Sequence, residues 1–208
     1  MLGRIRKLFG GRDESSSKST MPVTVVSGLP RSGTSLMMQM LDAGGLPPLT
    51  DGERERDKDN PKGYYEFERV KKLKEGDTAW LPRAEGKAVK VISALLPNLP
   101  DDYSYRILFM RRKMEEILAS QDKMLTRRAK EKRVDDAEMA DLYRKHLRQT
   151  IDWIEDQSNM RYLDISFNDL IEDPVPLVDR VVSFLEGVDL DAEAMATVVD
   201  PDLYRNRS

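Results

Sequence analysis

The chain has 208 residues, which is the length of one ordinary domain, so two independent hydrophobic cores are not expected. Its 34 basic and 37 acidic residues leave a formal net charge of −3, which argues against a protein that coats nucleic acid through bulk charge. With no cysteine and one histidine, disulfides, a thiolate nucleophile and a zinc site built on several imidazoles are excluded.

The first 20 residues predict a tail that precedes the fold. Residues 1–11 mix basic and apolar side chains, and their apolar part is too short for a signal-peptide core. Residues 13–20 are rich in serine and charge, which is typical of a linker. No stretch of the chain approaches the roughly 18 apolar residues that a transmembrane helix needs. We therefore expect a flexible tail over 1–20, a single folded domain over 21–208 and a cytoplasmic protein. The alternatives for residues 1–11 are a short docking helix and a weak membrane-surface helix.

Predicted strands and helices alternate along the rest of the chain. Short apolar runs predict strands over 22–27, 88–92, 105–110 and 162–166. Apolar residues at helical spacing predict helices from about Leu36, over 64–74, over 114–128, from Asp135 or Asp136 to about 157, and lastly from Pro174. This order predicts an α/β protein with a central parallel sheet that helices cover on both faces.

The most informative segment is the turn between the first strand and the first helix, G-L-P-R-S-G-T-S over 28–35. Gly28 and Gly33 have the spacing of the glycines in the nucleotide-binding phosphate loop, G-x-x-x-x-G-K-[ST]. Glycines let backbone N–H groups approach an anion, and the helix N-terminus adds a partial positive charge. The segment predicts a phosphate loop in a three-layer fold like that of P-loop nucleoside triphosphatases.

This loop lacks the parts with which nucleoside triphosphatases hold Mg²⁺ and a terminal phosphate. Thr34 stands at the lysine position, and the cation is Arg31, three residues earlier. The strand over 105–110 runs into two arginines instead of a carboxylate, and Asp164 is expected to be an edge or surface residue. The pattern suits a group of lower charge than a terminal phosphoryl, such as a sulfuryl group, and predicts no metal.

With both features in view, the sequence resembles the P-loop sulfotransferases, whose donor is 3′-phosphoadenosine 5′-phosphosulfate (PAPS). The segment over 28–35 is similar to their 5′-phosphosulfate loop. The resemblance implies that the 5′-phosphate and the sulfuryl group are held by Arg31, Ser32, Gly33, Thr34 and Ser35.

A second motif of the family places an arginine at a strand end and a serine eight residues later, both on the 3′-phosphate of the donor. Arg112 and Ser120 have this spacing, and Arg111 is the alternative to Arg112. Weaker similarities over 60–73, 161–174 and 203–207 extend the resemblance to about 23–207, toward small bacterial members. Arg205 and Arg207, in the last of these segments, either fold back over the 3′-phosphate, which we favour because the donor carries several negative charges, or extend freely from the domain.

Sulfuryl transfer needs a base that takes the proton of the acceptor. Many cytosolic members use a histidine two residues after a strand-borne lysine, but here Lys90 is followed by Ile92 at that position. Other members use a glutamate. Glu66 is our candidate and Glu68 is the next, whereas His146 lies on a core helix and is expected to be structural. Lys90 either contacts the sulfuryl or bridging oxygen or merely ends its strand.

The sequence thus predicts an enzyme, a PAPS-dependent sulfotransferase that leaves adenosine 3′,5′-bisphosphate as product. The acceptor side is expected over 46–86, where Tyr64, Tyr65 and Trp80 suit a small molecule, a sugar, a lipid headgroup or a peptide. Two other functions are compatible with the same residues. One is a nucleotide-binding phosphotransferase or hydrolase with a degenerate phosphate loop, and the other is a non-catalytic nucleotide-binding scaffold.

Overall fold

The structure is a computed structural model that describes residues 21–52, 63–127 and 135–200. Its strands are β1 (Val23–Gly28), β2 (Ala88–Lys90), β3 (Tyr105–Arg111) and β4 (Met160–Ser166). Its α-helices are α1 (Thr34–Ala43), α2 (Met114–Arg127), α3 (Asp136–Glu155), α4 (Phe167–Glu172), α5 (Pro174–Phe184) and α6 (Ala192–Thr197). Short 3₁₀ helices cover Glu68–Glu75, Leu81–Arg83 and Ser93–Asn98. The tail expected over 1–20 lies outside the described residues, as do Arg205 and Arg207.

The four strands form one all-parallel sheet in the order β2-β1-β3-β4. The chain passes from β1 to β2 on one side and then returns across β1 to β3 on the other. In open parallel sheets, ligands bind at the carboxyl ends of the strands where the connections change direction in this way. Here that position lies at the carboxyl ends of β1 and β3. The predicted α/β fold with a central parallel sheet is confirmed.

Helices cover both faces of the sheet, which makes three layers. Val25 packs in a cluster that includes residues of α2 and α3, whereas Val26 packs in a second cluster with residues of α1, α4, α5 and α6. Both faces of β1 are buried, so all six of its residues are buried, including the small polar residues Thr24 and Ser27, and polar and apolar residues do not alternate along it. The second cluster draws heavily on α1, which contributes Met37, Met38, Met40 and Leu41.

Several expected elements differ from the structure. The helix expected over 64–74 begins only at Glu68 and is a 3₁₀ helix. The helix from Pro174 is not the last one, because α6 follows it, and α4 was not expected at all. Both added helices begin with a side-chain cap: Ser166 accepts a hydrogen bond from the N–H of Asp169, and Asp191 accepts one from the N–H of Ala194. Of the two candidate caps for α3, Asp135 is the one that accepts from a backbone N–H.

Trp80 is a core residue, so its expected place on the acceptor side is wrong. Its side chain is fully buried, and its ring packs edge-on to Phe67 with centroids 5.6 Å apart. The indole N–H donates to the backbone oxygen of Asp77 at 2.9 Å. Both the apolar ring and its one polar group are therefore satisfied inside the protein.

The first helix starts from a glycine in a left-handed conformation. Gly33 has φ +98°, and a Cβ atom at this position would lie 2.2 Å from the ring of Phe167 at the start of α4. Within the described residues no side-chain hydrogen bond caps α1. The first N–H groups of α1 therefore have no capping side chain there, and the partial positive charge of the helix N-terminus faces the loop between β1 and α1.

The one histidine joins α3 to the 3₁₀ helix over Ser93–Asn98. His146 Nε2 lies 2.8 Å from Ser93 Oγ and 3.5 Å from Thr150 Oγ1, and both of these residues are buried. Burial lowers the pKa of His146 below its ordinary value. The residue thus serves the packing of α3.

Substitution of Gly33 by alanine tests the contact between the loop and α4. We expect Gly33→Ala to lower the free energy of unfolding by about 2–4 kcal/mol, because backbone strain adds to a clash with Phe167. Gly76 is the matched control, since it also has positive φ, +84°, but nothing lies within 4 Å of the position that a Cβ atom would take there. Gly76→Ala should cost only the strain of about 1 kcal/mol. Equal losses in urea titrations of the two variants would contradict the close packing at Gly33.

The lowered pKa of His146 predicts a pH dependence of stability. The unfolded chain protonates this histidine near pH 6.5, but the folded protein does so only at lower pH. The unfolded state therefore binds more protons below about pH 6.5, and the free energy of unfolding should fall as the pH drops through that range. Urea titrations across this interval should show a shallower decline for His146→Gln than for the unsubstituted protein. Identical slopes would refute this account of His146.

Candidate functional site

The loop between β1 and α1 packs tightly against the end of β3. Gly28 has φ +142°, and a Cβ atom there would lie 2.5 Å from the backbone oxygen of Met110 and 2.6 Å from Ser32 Oγ. The N–H of Ser32 donates to the backbone oxygen of Leu29 at 3.2 Å, which closes a turn. Only a glycine at position 28 lets the loop approach β3 this closely.

Arg31 is held in a left-handed conformation within this loop, with φ +75°. For a residue with a side chain this geometry costs about 1 kcal/mol, and such strain tends to occur at binding sites. Its Nε donates to Ser120 Oγ at 2.8 Å, and its backbone oxygen accepts from Arg112 Nη1 at 3.3 Å. The structure thus brings together Arg31 of the first motif with Arg112 and Ser120 of the second.

Three residues that the sequence reading missed hold Arg112 in place. Its Nε donates to Glu116 Oε2 at 2.7 Å, and Asn168 Nδ2 donates to Glu116 Oε1 at 2.9 Å. Its guanidinium carbon lies 4.5 Å from the ring centroid of Phe167, a cation–π distance. Glu116 could have been found from its i, i+4 spacing to Arg112. Asn168 and Phe167 could not, because they come from a distant part of the chain.

Arg111 and Asp164 face a different part of the molecule. Arg111 Nε donates to Asp164 Oδ1 at 3.0 Å, between the ends of β3 and the edge strand β4. Both side chains are partly exposed, at 38% and 47%. Among the described residues, Arg112 rather than Arg111 therefore contacts the loop between β1 and α1, and Asp164 has an arginine as its partner.

Lys90 brings a second cation to the start of α1. It ends β2, and its Nζ lies 3.1 Å from Ser35 Oγ and also donates to the backbone oxygen of Tyr64. Thr34, at the position where nucleoside triphosphatases have lysine, begins α1 itself. The positive charge missing from position 34 is thus supplied from the neighbouring strand.

Two buried hydroxyls near the loop, Ser27 Oγ and Ser32 Oγ, have no hydrogen-bond partner within the described residues. Ser32 is 1% exposed, and its hydroxyl lies against Gly28 rather than on the surface. An unpaired buried hydroxyl costs about 1–3 kcal/mol, so its presence in a native site calls for an explanation. An anion bound in the loop would offer an oxygen to which the Ser32 hydroxyl can donate.

The segment with the candidate base is anchored to the same site. Tyr64 contacts Lys90 through its backbone oxygen, and two residues later the backbone oxygen of Glu66 accepts from Thr50 Oγ1 at 2.7 Å. Tyr65 between them has φ +52°. This kinked segment places Glu66 two residues from the lysine contact at the start of α1.

The carboxylates of Glu66 and Glu68 both lie near one lysine. Lys71 Nζ is 2.5 Å from Glu68 Oε1 and 3.7 Å from Glu66 Oε2. The side chain of Glu66 is 22% exposed and that of Glu68 is 37% exposed. The closer ion pair belongs to Glu68, which leaves Glu66 the less tightly engaged of the two with Lys71.

A groove of about 340 Å³ lies beside the far end of α1. Its lining includes Gln39 and Asp42 of α1, Val198 after α6, and Tyr65 from the segment expected on the acceptor side. The hydroxyl of Tyr65 donates to Asp42 Oδ2 at 3.3 Å. One residue of the predicted acceptor region therefore faces a groove.

Within residues 21–52, 63–127 and 135–200, no helix is long and apolar enough to span a bilayer. In the same ranges, no three or more histidine, aspartate or glutamate side chains are grouped as metal ligands. The expected segment over 46–86 is described except for residues 53–62.

Comparisons with known proteins add little to this geometry. No protein-family model matches the chain, and no curated protein does. Among solved structures, the chain is similar to a sugar kinase from Janibacter sp. HTCC2649, solved without ligand. The two share 15% sequence identity over 88% of this chain and 98% of that chain, with a TM-score of 0.38. A likeness of this size carries no argument about activity.

Proposed function

We propose that the protein is a sulfotransferase that moves the sulfuryl group of PAPS to a hydroxyl or amine acceptor. The observation that carries the proposal is the meeting of Arg31, Arg112 and Ser120 at the phosphate loop. PAPS has phosphates on both sides of its ribose, so a binding site needs donors at two places. The start of α1 supplies one set, and Arg112 with Ser120 supplies the other.

The 5′-phosphosulfate would lie at the N-terminus of α1. Helix N–H groups, the hydroxyl of Ser35 and the ammonium group of Lys90 all converge there. During in-line displacement, negative charge develops on the phosphate oxygen that leaves. Cations and fixed dipoles at that oxygen stabilise the transition state more than the ground state, which is what accelerates the reaction.

No metal is required in this proposal, because Lys90 takes the place of the charge that Thr34 lacks. The carboxylate on β4, Asp164, is paired with Arg111. A sulfuryl group carries one negative charge, whereas a terminal phosphoryl carries nearly two. Fixed cations of the protein are therefore the only countercharges that the chemistry calls for here.

Glu66 is the proposed base for the acceptor. Its segment begins at the Tyr64 backbone contact with Lys90, so the base and the donor site share one anchoring point. A carboxylate there can accept the proton from an acceptor that enters past Tyr65. A sugar, a lipid headgroup, a peptide hydroxyl or another small molecule would all fit this description.

The first test of the proposal is which nucleotide stabilises the protein. Adenosine 3′,5′-bisphosphate at about 100 times its Kd should raise the free energy of unfolding by about 2.7 kcal/mol, and AMP at the same concentration by less. Arg112→Ala should abolish this preference, because a charge-assisted contact to the 3′-phosphate is lost. Arg111→Ala is the matched control and should keep it, since Arg111 pairs with Asp164 instead. Thermal shifts measure the stabilisation of each variant by each nucleotide. Repeating them with EDTA tests whether the stabilisation needs a metal.

Two outcomes would count against the assignment. Equal stabilisation by AMP and by the bisphosphate would remove the argument for a 3′-phosphate site. Hydrolysis of ATP that depends on Mg²⁺ would favour the alternative, a phosphotransferase or hydrolase with a degenerate loop.

The second test concerns Glu66. Glu66→Gln keeps the size of the side chain but removes the basic oxygen, so turnover should fall by about 10² to 10⁴. Binding of the bisphosphate, measured by calorimetry, should change little. Glu68→Gln is the matched control and should retain most of the activity. Loss of turnover in Glu68→Gln or His146→Gln, with an active Glu66→Gln, would assign the base elsewhere.

A further inference from the structure

Glu116 is a buried carboxylate that the reaction proposed above does not use. Its side chain is 1% exposed, and that of its partner Arg112 is 9% exposed. A carboxylate removed from water is stable only when polar partners replace its hydration. Here Arg112 Nε donates to Oε2 at 2.7 Å, and Asn168 Nδ2 donates to Oε1 at 2.9 Å. Both carboxylate oxygens therefore have a protein donor.

The orientation of Asn168 is itself fixed by the backbone. The N–H of Lys113 donates to Asn168 Oδ1 at 3.1 Å. Because a backbone N–H can only donate, the amide oxygen must face Lys113, and the amide nitrogen must face Glu116. A directed chain of hydrogen bonds thus runs from the turn after β3 through Asn168 and Glu116 to Arg112.

The far end of this chain reaches the phosphate loop. Arg112 Nη1 donates to the backbone oxygen of Arg31 at 3.3 Å. The ring of Phe167 packs against the guanidinium of Arg112, and the same ring fills the space beside Gly33. Arg112 is therefore restrained through Nε, through Nη1 and across one face.

Buried ion pairs often contribute no more to stability than an apolar pair of the same volume would. What they provide is a fixed orientation. An arginine that is already oriented loses less conformational freedom when it binds a phosphate, so the contact is tighter.

We infer that Glu116 and Asn168 are positioning residues that aim Arg112 at the 3′-phosphate, and that they set the preference for a nucleotide phosphorylated at that position. The inference rests on the proposed function. It predicts the direction in which the affinity for the 3′-phosphate changes when the charge of Glu116 is removed. If Glu116 acted through its charge alone, its removal would strengthen phosphate binding, because a negative charge near an anion is repulsive. Positioning predicts the opposite.

The test compares two nucleotides that differ only in the 3′-phosphate, adenosine 3′,5′-bisphosphate and AMP, by calorimetry. The unsubstituted protein should bind the bisphosphate at least about tenfold more tightly than AMP. Glu116→Gln should lose about tenfold in affinity for the bisphosphate and little for AMP, because a glutamine cannot accept from Arg112 and Asn168 together. In Asn168→Ala, the affinity for the bisphosphate relative to that for AMP should fall by about three- to tenfold. Asn168 is only partly buried, so this variant keeps the test decisive if Glu116→Gln does not fold.

The controls remove comparable groups elsewhere. Glu115→Gln takes the same charge from the preceding residue of α2, whose side chain is 70% exposed. Asn159→Ala removes an amide that donates to the backbone oxygen of Tyr103 at 2.8 Å, before β4. Both should keep the preference of the unsubstituted protein.

Each result decides between the alternatives. A Glu116→Gln variant that keeps or increases the preference overturns the inference and leaves the proposed function standing. Equal weakening of both nucleotides overturns it too, because that pattern reports a general structural role. An unsubstituted protein with no preference for the bisphosphate refutes the proposed function, and the inference falls with it.

Discussion

The site depends on the parallel pairing of β1 with β3, in a register that sets Gly28 opposite Met110. Both strands run in the same direction, so the loop after β1 and the arginines at the end of β3 emerge at one edge of the sheet. The contact is close because Gly28 has no Cβ, and the backbone oxygen of Met110 occupies the space where one would be. Without this approach, Arg112 could not reach the backbone oxygen of Arg31.

The end of β3 decides which arginine contacts the loop between β1 and α1. Arg111 is the last residue of β3, and its side chain pairs with Asp164 on the neighbouring strand β4. Arg112 lies in the turn before α2, where it pairs with Glu116 and donates to the backbone oxygen of Arg31. Each arginine thus has a different carboxylate as its partner, and Arg112 is the one that reaches the loop.

Much of this could be predicted from the sequence, because the signals are local. Short apolar runs predicted the strands, and two glycines at fixed spacing singled out the loop between β1 and α1. The spacing from Arg112 to Ser120 pointed to the second motif, although it did not show that Ser120 bonds Arg31. Other features depend on contacts between distant segments. Nothing local to Trp80 distinguishes a core tryptophan from one that meets an acceptor, and nothing near Asn168 connects it to a residue 52 positions away. The helix α6 is six residues long, too short for a periodic pattern to identify.

Arg31 takes part in two contacts at once, its side chain with Ser120 and its backbone oxygen with Arg112. Because these contacts share one residue with a constrained backbone, a rotation of its peptide group would disturb both together. A substitution at position 31 would therefore change the surroundings of Arg112 and Ser120 at the same time. The two sequence motifs, 89 residues apart at Arg31 and Ser120, are joined in the folded protein by the geometry of this one residue.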